Sequence, residues 1–333
     1  MPYNLIFLLL FLLTACTSVH SQPYPLSRTY AVNTDYMQIR LRGTVQIPTQ
    51  EVDNLTLGGL SGLAWDEDEQ LLYAVSDTGR LFHLRLTFEH QQLREATPIK
   101  AVLLKNKQGI ALNTLRRQRD AEGLSIRNGN NGIQGDSELI IAFERNPRIE
   151  RYQPTGEWLG AYSLPNPLKN IDNYLSINDS LESVTLHPQY GILTAPEHPL
   201  KSETAQQIRI FNLQGQSWTL PSHTAPNSAV TDLAVMDDGT LLLLERAFTS
   251  IFSPLIISLR RVQLCTQKTG NTTNVQELAV FDSSKGWSID NFEGLTHHHS
   301  AFFLMVSDDN YRSFQTTLLS YIEIINQPPL PCH

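Results

Sequence analysis

Carboxylates recur in this chain at matched places. Glu122 stands in Asp120-Ala121-Glu122-Gly123-Leu124 and Glu293 in Asn291-Phe292-Glu293-Gly294-Leu295, one phrase written twice. Weaker copies are Leu60-Ser61-Gly62-Leu63, Leu181-Glu182-Ser183-Val184 and Thr231-Asp232-Leu233-Ala234. Each copy opens an apolar run, and a second acid closes a later one: Asp77, Glu144, Glu197, Glu245 and Asp308. Such acids cannot share one place ionised without help. Two unit charges about 5 Å apart repel by roughly 3 kcal/mol at an effective dielectric near 20. Several such pairs would rival a whole domain's stability of about 5–15 kcal/mol. Protonation, arginine counter-charge or a bound cation would relieve them. Arg119, Arg145 and Arg246 stand beside the acids. A hard cation is the other answer, and Ca2+, which takes about 6–8 oxygen ligands, suits an Asp and Glu ring better than zinc does. The bland alternative is that some of these acids cap strand ends and serve only the fold.

The elements that would position these residues are short strands. Runs rich in β-branched, aromatic and leucine residues are punctuated by turn residues, and no convincing helix stands out. Repetition at about 50 to 60 residues with strands alone predicts propeller blades. Four units have four strands each, beginning near Gly62, Gly123, Val184 and Leu233. The fifth, from Gly294, ends one strand short, and residues 37–47 supply the missing strand from the other end of the chain. The expected fold is therefore all-β, a single five-bladed propeller over 37–326 closed by the N-terminal strand, with a sixth blade or paired sandwiches as alternatives. In a blade the first two strands form a hairpin, so the opening phrase and the closing acid meet at one end of the channel. That reasoning gathers Glu122, Glu182, Asp232, Glu293, Asp77, Glu144, Glu197 and Asp308 as candidate metal ligands, with Ser61 filling the equivalent place in the first blade. Arg145 and Arg246 would neutralise a bound anion, Glu245 would steer water, and His198 would act as a general acid or anion contact.

Composition narrows the classes. The formal net charge is −8 with no basic run, which argues against nucleic-acid binding. Residues 1–15 carry no charged side chain and contain an apolar run too short to span a bilayer, followed by Leu13-Thr14-Ala15-Cys16. This matches a bacterial lipobox, with cleavage before Cys16 and a lipid on its sulfur. It predicts an envelope protein, anchored at the outer membrane through a tether over 16–36. The n-region departs from the pattern by lacking Lys and Arg. A C-terminal tail is expected over 327–333. Cys265 and Cys332 could pair in an oxidising compartment or remain two thiols. A monomer is expected.

Other chemistry is weaker. No Gly-x-Ser-x-Gly elbow occurs. His297-His298-His299 falls in a predicted first hairpin on the face opposite the acids, and adjacent histidines cannot easily ligate one ion together.

Taken as a set, Gly59-Leu60-Ser61-Gly62-Leu63, Asp120-Ala121-Glu122-Gly123-Leu124, Leu181-Glu182-Ser183, Leu244-Glu245-Arg246-Ala247-Phe248, Asn291-Phe292-Glu293-Gly294-Leu295 and Ser307-Asp308-Asp309-Asn310 carry a resemblance. The chain, from about Arg40 to Ile324, resembles the phytase-like propeller family described as "esterase-like activity of phytase". The resemblance implies a phosphoester or ester hydrolase whose members are often exported or lipid-anchored. It fixes no substrate and transfers no ligand set. The expectation is a calcium-dependent phosphoester hydrolase. The rival readings are a non-enzymatic binding propeller with a structural cation, and a metal-dependent lactone hydrolase.

Overall fold

A computed structural model describes residues 20–250, 252–268 and 270–332; the expected signal segment and Cys16 lie outside them. Five sheets succeed one another around a central channel. Blade one comprises Leu60–Asp66, Leu71–Ser76, Arg80–Glu89 and Gln92–Leu103. Blade two has Ala121–Arg127, Glu138–Phe143, Arg148–Tyr152 and Trp158–Tyr162, and blade three Leu181–His187, Gly191–Pro196, Gln207–Asn212 and Ser217–Pro221. Blade four has Ser228–Val235, Leu241–Ala247, Ile256–Gln267 and Gly270–Asp282. In blade five, Asn291–His299, Phe302–Asp308 and Leu318–Ile324 are joined by Ile39–Gln46 from the N-terminal side, antiparallel to Leu318–Ile324. The ring closes as the sequence predicts, and Leu318–Ile324 is paired on both sides.

Short strands suffice because the sheets are buried on both faces. One apolar cluster fills each seam between neighbouring blades, and the last of them joins blade five to blade one through Val45, Phe82, Leu304 and Tyr321. All five blades, the closing strand and the seam cores lie within residues 20–332, so this part of the chain holds everything the closed ring needs. Among the described residues, helix is confined to single turns in the links, such as Asn166–Lys169 and Ile171–Asn173.

The segment expected to be a tether is folded from Ser21 onward. Gln22–Pro23 adds to the outer side of the closing strand, and Ser27 bridges to Trp287. Tyr30 and Tyr36 pack on Trp287 at 5.5 and 4.6 Å between ring centroids. At the other end Cys265 and Cys332 are disulfide-bonded, with Cα atoms 5.5 Å apart, and fasten the tail to the long outer hairpin of blade four.

One irregularity repeats in every blade. The inner hairpin carries a β-bulge between Leu60 and Gly62, Ala121 and Leu124, Leu181 and Ser183, Val230 and Asp232, and Phe292 and Gly294. An extra residue at a bulge is unpaired and re-aims its side chain. The re-aimed residues are Ser61, Glu122, Glu182, Thr231 and Glu293. The residue after each is small in four blades because the next blade's backbone is close. A Cβ on Gly62 would lie 2.4 Å from Glu122 O, and one on Gly123 2.7 Å from the Ser183 backbone.

Blade four breaks the rule, and it corrects the expected role of Asp232. Its bulge residue is Thr231, while Asp232 occupies the glycine position. Asp232 is fully buried and takes backbone N–H bonds from Leu233 at 2.8 Å and from Leu295 of blade five at 2.7 Å. Burial holds its carboxyl well above the usual aspartate range. It ties two blades together and contributes nothing to the channel mouth. Asp232→Ala removes the acceptor from two buried N–H groups at about 1–3 kcal/mol each. Urea denaturation is expected to show a loss of about 2–4 kcal/mol.

Candidate functional site

The bulge sets one ring of side chains and the end of strand two sets the other. Opposite the residue before each bulge stand Ser76, Phe143, Pro196, Glu245 and Ser307. The next residues, Asp77, Glu144, Glu197, Arg246 and Asp308, turn into the channel. In blades one to three their backbone N–H groups bond the carbonyls of Gly59, Asp120 and Ser180, which anchors them beside the entry of strand one. The two rings thus read Ser61 with Asp77, Glu122 with Glu144, Glu182 with Glu197, Thr231 with Arg246, and Glu293 with Asp308.

These side chains, Thr231 excepted, line a cavity of about 590 Å³ at one end of the channel, hereafter the acid face. Asp120, Arg145, Asn178, Asp290, Asn291 and Arg312 also line it. The 163–179 segment packs Leu164, Leu168 and Tyr174 into the seam between blades two and three, and its Asn178 lines the cavity. Glu122, Glu182, Glu293, Asp77, Glu144, Glu197, Asp308, Arg145 and Arg246 therefore meet as the sequence predicts. Asp232 and Glu245 do not. Glu245 is one residue out of register, points to the other side of strand two, and is fully buried against Arg260, with the His223 N–H at 3.0 Å. A one-residue shift in a strand reverses the side chain's face. His198 sits beside the cavity rather than in its lining, half-buried with Asp179 and Glu197, and burial lowers its pKa.

Sequence reasoning also missed residues outside the two rings. Asp120 pairs with Arg145 at 2.7 Å, yet it reads in the sequence as part of a phrase. Arg312 and Gln315 come from the link after strand two of blade five, where the repeat gives no signal.

The arginines neutralise part of the charge. Arg246 donates to Glu197 at 3.0 Å and to Glu293 at 2.7 Å, and also bonds Asn291. The acids of blades two and three have less relief. Oxygens of Asp120, Glu122 and Glu144 lie within 4.8 Å of one another, as do those of Glu144, Glu182 and Glu197. Glu144 belongs to both sets, and its Oε1 is buried without a hydrogen-bond partner. Two oxygens that share one Ca2+ at about 2.3–2.6 Å are at most about 5 Å apart. Both sets satisfy that limit with carboxylates alone, so the donor set fits a hard cation.

Without a cation these acids hold protons. Burial, then neighbouring carboxylates, raises Glu144 to about 9 and Asp308 to about 9. Burial raises Asp77 to about 6, and raises Glu197 to about 7 against the opposing pull of Arg246. Glu122 and Glu182 are pushed well above the glutamate range for the same reasons, burial first.

The far end of the channel is different. A cavity of about 630 Å³ there is floored by Leu124, Leu233 and Leu295. His298 packs edge-on to Trp65 at 4.5 Å and bonds the Tyr321 hydroxyl at 2.7 Å. Burial lowers its pKa to about 3, so His298 is a neutral packing group on the face opposite the acids.

No curated protein matches this chain. Among solved structures, one titled "Structure of Dos1 propeller" is similar at 11% identity and a TM-score of 0.35, over 90% of this chain and 82% of that one. The phytase-like family, described as "Esterase-like activity of phytase", matches residues 55–311. That span runs from the link into blade one to the end of strand two in blade five and contains every carboxylate of the two rings. The chain thus belongs to the phytase-like family.

Proposed function

We propose that this phytase-like propeller is an exported, lipid-anchored hydrolase that cleaves a phosphoester with the help of calcium. One observation carries the reading. Two sets of carboxylate oxygens, sharing Glu144, crowd within 4.8 Å in a cavity that also presents Arg145 and Arg312. Glu122, Glu144, Glu182 and Glu197, with Asp120, would hold the ion. Bound there, Ca2+ supplies Lewis acidity toward a phosphoryl oxygen.

The chain's own groups account for the rest. A bare acidic cavity repels a phosphoester, so the carboxylates must be neutralised before an anion enters. Arg246 is engaged by Glu197 and Glu293 and holds both in place rather than meeting substrate. Arg145 is held by Asp120 and Asn178 at the cavity wall, and Arg312 is exposed at the mouth. Planar guanidinium groups suit the paired oxygens of a phosphate. Glu245 has no part in this chemistry.

Calorimetry with the mature chain is expected to show Ca2+ binding, weakened at least tenfold, about 1.4 kcal/mol, by Glu144→Gln. Unchanged affinity in that variant would end the assignment. Hydrolysis of an aryl phosphate should disappear with chelator, and Arg145→Ala should raise KM about tenfold at constant Ca2+ affinity. Calcium binding without turnover would instead favour a binding propeller, and turnover of lactones alone a lactone hydrolase.

The raised acids fix a pH dependence. Their folded-state pKa values exceed the ordinary range near 4, so the metal-free native state binds more protons than the unfolded chain. Their contribution is full in acid and is lost as pH rises through about 6 for Asp77, about 7 for Glu197 and about 9 for Glu144 and Asp308. Thermal melts in chelator should give a Tm that falls from pH 5 to pH 9. Calcium should flatten that slope and stabilise more at pH 8 than at pH 5, because binding must displace protons.

A further inference from the structure

The acid face has an apolar rim. Phe252 is 93% exposed, Phe314 76%, Ile177 55%, Leu175 54%, Ile110 51% and Phe248 44%. All six lie in links that leave strand two or lead into strand one, and these links cap the acid face in four of the five blade sectors. Among the described residues, the other exposed large apolar side chains are Tyr311, in the same link as Phe314, and Val32, Met37, Ile99 and Ile133, which lie elsewhere. Contiguous or clustered exposed apolar groups with a polar setting mark an interaction surface.

Cations accompany them. Lys107, Arg116 and Arg117 are exposed in the link that carries Ile110, and Lys169 and Lys201 flank Leu175 and Ile177. Arg312 lies over the Phe314 ring at 5.8 Å. Aromatic and aliphatic tips interleaved with Lys and Arg are the composition of a surface that seats in a lipid headgroup layer, with extra attraction to anionic lipids. Asp172 is exposed among these cations, while the carboxylates of the two rings lie below, inside the channel mouth.

The chain's entry point agrees. Gln22 pairs with Gln46, the last residue of the closing strand, and Ile47 then bonds Thr317 O in an acid-face link. Cys16 precedes Gln22 by so few residues that its reach is roughly 20 Å even when fully extended. A lipid on Cys16 would therefore keep the propeller close to the membrane surface.

We infer that the acid face rests on an anionic bilayer, so that the carboxylate cavity opens onto lipid headgroups rather than onto bulk solvent. The nearness of that bilayer rests on the lipid-anchor reading given above. Residues 20–332 lack Cys16, so they report the rim alone, while the intact mass of the exported protein reports the anchor separately. These residues are mixed with vesicles of phosphatidylglycerol and phosphatidylcholine, or of phosphatidylcholine alone, and sedimented. The expected result is binding to the anionic vesicles that weakens about tenfold in Phe252→Ser/Phe314→Ser. Arg116→Glu/Arg117→Glu should weaken it as well, and Ile133→Ser should not. These positions are exposed, so the variants keep their fold, and matching thermal melts verify this. Absence of binding, or equal loss with Ile133→Ser, would overturn the inference. So would a rim-dependent dimer in ultracentrifugation without lipid, which would make a second copy the occupant of this face.

Discussion

The close approach of neighbouring inner strands at the bulge is the contact on which the rest depends. Five hairpins bring their backbones within a side chain's width of one another, as the 2.4 and 2.7 Å clashes of a notional Cβ on Gly62 and Gly123 show. That proximity demands a small residue at one position and turns its predecessor into the channel. The same geometry that seals the ring therefore concentrates five side chains, and five more from strand two, at one mouth. Burial there, and then the neighbouring carboxylates that the fold leaves no room to separate, raises the pKa of these acids.

Blade four shows how the ring tolerates this. Where three blades carry a glutamate at the bulge, it carries Thr231, and where the others carry an acid after strand two it carries Arg246. The guanidinium spans Glu197 of blade three and Glu293 of blade five, so the cation sits between two acidic blades and relieves both. Glu122, Glu144 and Glu182 make no ion pair with it, and their oxygens crowd against those of Asp120 and Glu197, which Arg145 and Arg246 hold. The asymmetry of charge around a nearly symmetric ring defines where a cation would be held.

Much of this was legible in the sequence because the repeat is carried by apolar residues that the blades need. The blade count, the closing strand and the convergence of acids on one face follow from that repeat. Blade four misled because its residues were matched by chemical type. Matching Leu233 to Leu63, Leu124, Val184 and Leu295 instead puts Thr231 and Arg246 in the rings and leaves Asp232 and Glu245 outside them. The residues after Ser21 read as a polar tether because their partners, Trp287 and the outer strands of blades one and five, are distant in sequence. Arg312 and Phe314 sit in a link that no repeat constrains, so only the folded chain reveals them.

The closing strand has a consequence for how the molecule comes into being. Ile39–Gln46 and its partner Leu318–Ile324 are separated in sequence by all the other blades, so the ring closes only when the later strand is present. Until the C-terminal strand arrives, blade five lacks a neighbour and the ring keeps an open edge of the kind that templates association between chains. Once Ile39–Gln46 and Leu318–Ile324 have paired within blade five, no blade can leave without breaking the ring.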